Sequence, residues 1–79
     1  MADIKPDQTL DTRGLSCPMP MLKTKKALKG MKSGQILEVW GTDPGSKNDI
    51  PDFCKKNNNE LLEMTDLPEG YTRYIIKKG

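Results

Sequence analysis

The chain contains no histidine among its 79 residues. That absence alone removes Cys-His dyads, Ser-His-Asp triads and histidine metal ligands from the chemistry available. Cysteine occurs twice, as Cys17 and Cys54, too few without histidine for a structural zinc site. Aromatic residues make up 5% of the chain and apolar residues 34%, so the core is expected to be a thin layer in which single apolar positions matter. No apolar run approaches the length that crosses a membrane. The opening "MADIKPDQ" also lacks the basic-then-apolar profile of a secretory leader. A cytoplasmic location is expected, with both cysteines as thiols rather than a disulfide. Strong charge of one sign is missing too: the net charge of +2 argues against direct nucleic-acid binding by phosphate neutralisation. "WGTDPG" lacks the glycine spacing and Lys-Ser/Thr pair of a phosphate loop. Asp43, Asp49 and Asp52 read as helix-capping groups rather than metal ligands. Nothing in the residues calls for a cofactor or metal.

What is present reads as one domain over residues 1–79, without internal repeats. A short strand is expected around Thr9 to Asp11, with Gly14 marking the turn after it. From Pro18 to Gly30 the pattern suits a helix, with proline at its first position and glycine at its stop. Met21, Thr24, Leu28 and Met31 form its apolar face beside Ala27, while Lys23, Lys26 and Lys29 lie opposite, with Lys25 at the boundary. Leu22 falls off that apolar stripe. "QILEVWG" alternates as a strand, Leu37 and Val39 on one face, Ile36, Glu38 and Trp40 on a wetter one. Ser46 or Asp49 is expected to cap a second helix, and Pro51 argues that its regular part begins near Asp49. Ile50, Phe53, Cys54 and Asn57 share one side of that helix, and "NNN" ends it. "ELLEMT" and "YTRYIIKK" then read as strands joined by the "DLPEG" turn in an antiparallel hairpin. The expected fold class is α/β, a two-layer α/β sandwich in the order βαβαββ. Its sheet is four-stranded and mixed, with both helices on one face and the first two strands parallel.

Chemistry concentrates at "SCPMP". Cys17 precedes a proline, which keeps its backbone extended. Pro18 opens the helix, and Pro20 still falls in the first turn, where a missing N–H costs no ladder bond. The thiol then stands at the positive end of the helix dipole, where a thiolate is favoured. Arg13 and Gly14 are the candidate supports for that thiolate, with Asp11 offsetting the arginine charge. A lone cysteine is often simply a buried apolar side chain, but a turn opening a helix is not an apolar face. Cys54, beside Phe53 and one turn after Ile50, reads as core, with a resolving cysteine for Cys17 as the alternative. The lysines of the first helix read as a solvated face, or as a docking surface for an acidic partner or RNA phosphates.

"LDTRGLSCPMPMLKTKKAL", followed by "GQILEVWGTDPGSKNDIPDFC" and the closing "YIIKKG", resembles the TusA family of sulfur carriers, also called SirA-like. The family's hallmark is a Cys-Pro-x-Pro motif at the first helix. The resemblance implies a βαβαββ sandwich and a persulfide carried on Cys17, with Pro18 and Pro20 shaping the active loop. It implies a sulfur donor protein, a cysteine desulfurase or rhodanese-like, and a sulfur acceptor protein, TusD/DsrE-like, in tRNA thiolation, sulfur oxidation or related metabolism. "Carrier" describes such a protein better than "enzyme". A thiol-disulfide redox protein using Cys17 and Cys54, or a binding or regulatory module with a structural Cys17, are the competing readings.

Overall fold

The computed structural model describes residues 5–16 and 19–79. Six elements follow one another along the chain: β1 (Gln8–Thr12), α1 (Met19–Lys29), β2 (Ile36–Gly41), α2 (Ser46–Lys56), β3 (Glu60–Asp66) and β4 (Thr72–Lys77). The order is the expected βαβαββ. β1 and β2 pair in parallel, β4 pairs antiparallel with β2 and with β3, and the sheet order is β1-β2-β4-β3.

β2 shows why the sheet sorts its faces. Leu37 and Val39 are fully buried and alternate with half-buried Ile36, Glu38 and Trp40, the period of a strand with one face on the core. In register beside them lie Ile76 and Tyr74 of β4, also fully buried. Leu28 of α1 with Ile50 and Cys54 of α2 complete the core cluster on this face, and Met31 closes it below α1. Both helices therefore cover one side of the sheet. The run Tyr74-Ile75-Ile76 is buried throughout, the pattern of a strand apolar on both sides, and it occupies an interior position.

On the expected apolar face of α1, Thr24, Leu28 and Met31 are buried but Met21 is only half-buried. At the start of the helix the buried position is Pro20 instead, and Leu22, off the stripe, is 51% exposed. α2 departs from expectation at both ends. It begins at Ser46 rather than near Asp49, with Gly45 as the cap residue in helical conformation and no side-chain capping bond. Its first turn is built instead from the carbonyls of Asp43, Pro44 and Gly45, which accept from the amides of Ser46, Lys47 and Asn48. Pro51 is thus inside the helix, and the Lys47 carbonyl loses the donor it would have had from that position. Burial of Ser46 against the core holds this early turn in place. At the other end Asn57, expected on the apolar side, is exposed. It is the C-cap residue, and its amide N–H and side-chain Nδ2 both donate to the Phe53 carbonyl.

Among the described residues, no helix is long and apolar enough to cross a membrane, and no group of acidic or cysteine side chains could hold a metal ion.

Candidate functional site

The parallel pair β1 and β2 ends at one edge of the sheet, and the chain segments leaving both strands meet there. Open α/β sheets place ligands at the carboxyl ends of parallel strands. The Thr12 hydroxyl, buried at the last position of β1, donates to the Trp40 carbonyl at 2.6 Å. Gly41, beside it, is closely packed: a Cβ there would lie 3.3 Å from Thr12 Oγ1, a tight contact, and 3.6 Å from the Tyr74 ring, an ordinary one.

The loop then turns sharply. Leu15 N–H donates to the Thr12 carbonyl at 3.2 Å, and Gly14 takes a φ of +83°, a left-handed conformation that a Cβ would strain. The Gly14 amide donates to Thr42 Oγ1 at 2.9 Å, which ties this loop to the one after β2. Gly14, expected as a support of the thiolate, is therefore the residue that makes the turn and binds it to its neighbour.

Arg13 lies on the opposite side of the sheet from the helices. Its Nε and Nη2 donate to the two carboxylate oxygens of Asp11, both at 2.9 Å, and its backbone N–H donates to the same carboxylate at 3.0 Å. The guanidinium beside Asp11 holds that carboxyl below the usual carboxylate range, and the arginine is held above its own. The guanidinium carbon also sits 5.0 Å from the ring centroid of Trp40 and 5.0 Å from that of Tyr71. The two rings are 5.5 Å apart. Asp11 offsets the arginine charge, as its sequence position implies.

Cys17 and Pro18 lie outside the described residues. Those on either side of them are joined, since the Met19 N–H donates to the Ser16 carbonyl at 2.9 Å. Pro20 is the second residue of α1 and fully buried, so it falls in the first turn as expected. Its carbonyl accepts a 2.8 Å bond from the buried Thr24 hydroxyl, which satisfies the one polar group on the buried face of α1. No acidic residue occupies the first turn of α1, leaving the positive end of the helix dipole unopposed by its own helix. Met19 and Leu22 are large apolar side chains left 42% and 51% exposed on these first turns.

Cys54 belongs to a different environment. It is 2% exposed within the core cluster, and burial pushes its thiol up to about 11. A thiol in that state is a poor nucleophile at neutral pH, which weighs against its serving as a resolving cysteine.

Composition and spacing did not bring out Thr42, Trp40 and Tyr71 as partners of the loop. Trp40 carried a signal, an aromatic side chain on the uncovered face of β2. Tyr71 carried none, because its position depends on how the β3–β4 turn folds back beside β2. A surface cleft of ≈ 250 Å³ adjoins this end of the molecule, lined in part by Thr42, Tyr71 and Thr72. Lys47 and Asp66, also among its walls, form a 2.9 Å ion pair.

Comparison with known proteins bears on the whole arrangement. The family profile described as "Sulfurtransferase TusA" matches residues 8–78. The sulfur carrier protein TusA of Allochromatium vinosum is 49% identical over 79 residues, covering both chains completely. YrkI of Bacillus subtilis is 49% identical over 76 residues, covering 96% of this chain and all of its own. A SirA-like protein from Desulfitobacterium hafniense has a crystal structure that superposes with a TM-score of 0.80 at 23% identity, over 91% of this chain and 97% of that one. This last likeness establishes the shared fold.

Proposed function

The chain belongs to the TusA family, and from that membership we propose that it is a cytoplasmic sulfur carrier whose Cys17 bears sulfane sulfur as a persulfide. The observation that carries this reading is the 49% identity to a sulfur carrier over the full length of both chains. The Cys17 thiolate attacks the outer sulfur of a donor persulfide, R–S–SH. A bond forms between Cys17 Sγ and that sulfur, the donor's S–S bond breaks, and the donor leaves as the thiolate R–S⁻. The proton on the outer sulfur travels with it, so the exchange is redox-neutral. An acceptor thiolate then repeats the attack on the Cys17 persulfide, and Cys17 leaves as thiolate.

Pro18 and Pro20 shape the loop from which Cys17 acts, and the positive end of α1 favours the anionic forms of thiol and persulfide. Gly14 supports them through the turn it makes, and Arg13 through the loop it anchors. The donor is a cysteine desulfurase or rhodanese-like protein and the acceptor a TusD/DsrE-like one. They dock over the outer face of α1, where exposed Met19 and Leu22 are flanked by lysines, an apolar centre with a charged rim.

Intact-mass spectrometry after incubation with a persulfidated donor tests the reading. One added sulfur atom is expected on the wild-type chain and on Cys54→Ser, and none on Cys17→Ser. Sulfur retained by Cys17→Ser, or a Cys17–Cys54 disulfide as the main product, would overturn it.

A further inference from the structure

Arg13 stands at the point where β1 becomes the loop that leads to Cys17, and it is held from three separate parts of the chain. Asp11 of β1 takes its guanidinium edge in a two-bond fork. Trp40 of β2 and Tyr71 of the β3–β4 turn each take the guanidinium within cation–π distance, at 5.0 Å. One residue further on, the Gly14 amide is fixed to Thr42. The loop is thus clamped on both sides immediately before it reaches residues 15 and 16. A planar guanidinium can fork to a carboxylate with its edge and stack on rings with its face at once, which an ammonium cannot.

The same contacts argue against Arg13 acting as a charge at the thiolate. Its positive charge is already matched by the Asp11 carboxylate at 2.9 Å, and both groups stand exposed, where water screens what remains.

We propose that Arg13 is a positioning residue: forked to Asp11 and packed against the adjoining rings of Trp40 and Tyr71, it sets the path of the loop that presents Cys17, and acts by shape rather than by charge. This rests on the reading of Cys17 as the sulfur-bearing thiol. It adds to that reading a residue, and two aromatic partners distant in sequence, on which presentation of the thiol depends.

The test uses the full chain in a Cys54→Ser background, with Arg13→Lys, Arg13→Gln and Tyr71→Leu. Iodoacetamide alkylation of Cys17 is followed across pH, giving a midpoint and a limiting rate, and sulfur uptake from glutathione persulfide is followed in parallel. Trp40 is the only tryptophan, so its emission reports in each variant whether the stack has opened while circular dichroism confirms the fold. If shape is what matters, all three variants show altered Trp40 emission and an unchanged pH midpoint. Their limiting rates change by about two- to fivefold, the equivalent of one exposed cation–π contact. A raised midpoint in Arg13→Gln with wild-type behaviour in Arg13→Lys and Tyr71→Leu would assign Arg13 to charge and overturn the proposal. Unchanged rates in all three variants despite an opened stack would overturn it as well. Should glutathione persulfide leave no sulfur on Cys17, the carrier reading fails while the alkylation series still decides the role of Arg13.

Discussion

At the scale of single residues, the two cysteines are told apart by what surrounds them. Cys54 could be read as core from its neighbours alone, since Ile50 precedes it by one turn and Phe53 adjoins it, and it is 2% exposed. Alkylation at pH 8 is therefore expected to modify one of the two thiols in the native protein and both after denaturation in urea. Mass mapping that places the native label on Cys54 would contradict its burial. The same burial couples this thiol to stability. In the unfolded chain it ionises near its ordinary value, whereas in the fold it ionises at about 11. Between those values the unfolded chain has lost the proton and the folded chain retains it, so stability falls as pH rises through that interval and is unaffected below it. The urea midpoint of the wild type should drop more steeply between pH 9 and about 11 than that of Cys54→Ala, in which the linkage is gone. The stack around Arg13 was beyond reach of the sequence. Its partners Trp40 and Tyr71 come to it only through the parallel pairing of β1 with β2 and the return of the β3–β4 turn, and local spacing carries no trace of that.

At the scale of elements, α2 shows where a sound local rule yields to tertiary structure. Proline within a helix removes a donor and crowds the preceding turn, and by that reasoning the regular helix ought to start near Asp49. It starts at Ser46, because buried Ser46 and the tight turn from Asp43 draw the early segment in, and one lost bond is tolerated. Adjacent positions should then respond in opposite directions. Ile50→Ala empties a fully buried site and is expected to cost about 2–5 kcal/mol in urea denaturation. Pro51→Ala returns a donor to the Lys47 carbonyl at a half-buried position. Set against the looser unfolded chain, it should raise stability by about 1 kcal/mol. A loss on Pro51→Ala comparable to that of Ile50→Ala would show that the proline ring packs rather than merely interrupts. The sheet was more legible: the alternation in β2 named its two faces, and the Pro-Gly turn named the β3–β4 hairpin. The sheet order had a quieter signal in the unbroken Tyr74-Ile75-Ile76 run, against the polar "ELLEMT" of edge strand β3.

At the scale of the whole molecule, the near-zero net charge conceals a division. Arg13, Lys23, Lys25, Lys26, Lys29 and Lys32 follow one another without an acidic residue, and all 11 acidic residues lie outside that stretch. Most of this charge is on α1, where the buried stripe of Pro20, Thr24 and Leu28 turns Leu22, Lys23 and Lys26 outward. Sequence periodicity identified the face, and the fold adds that it begins beside the loop bearing Cys17. A carrier must meet successive partners and release each of them, and charge on a rim speeds encounter more than it deepens binding. Lys23→Glu combined with Lys26→Glu should therefore slow sulfur uptake from an acidic donor protein by about tenfold or more at low salt. The difference from wild type should shrink as ionic strength shortens the reach of exposed charges to about 8–10 Å. Uptake from glutathione persulfide, which needs no docked surface, should be unchanged in the same variant. Equal slowing with both donors would place the lysines' effect at the thiol itself. A wild-type rate with the protein donor at low salt would mean that the basic face of α1 is only solvated.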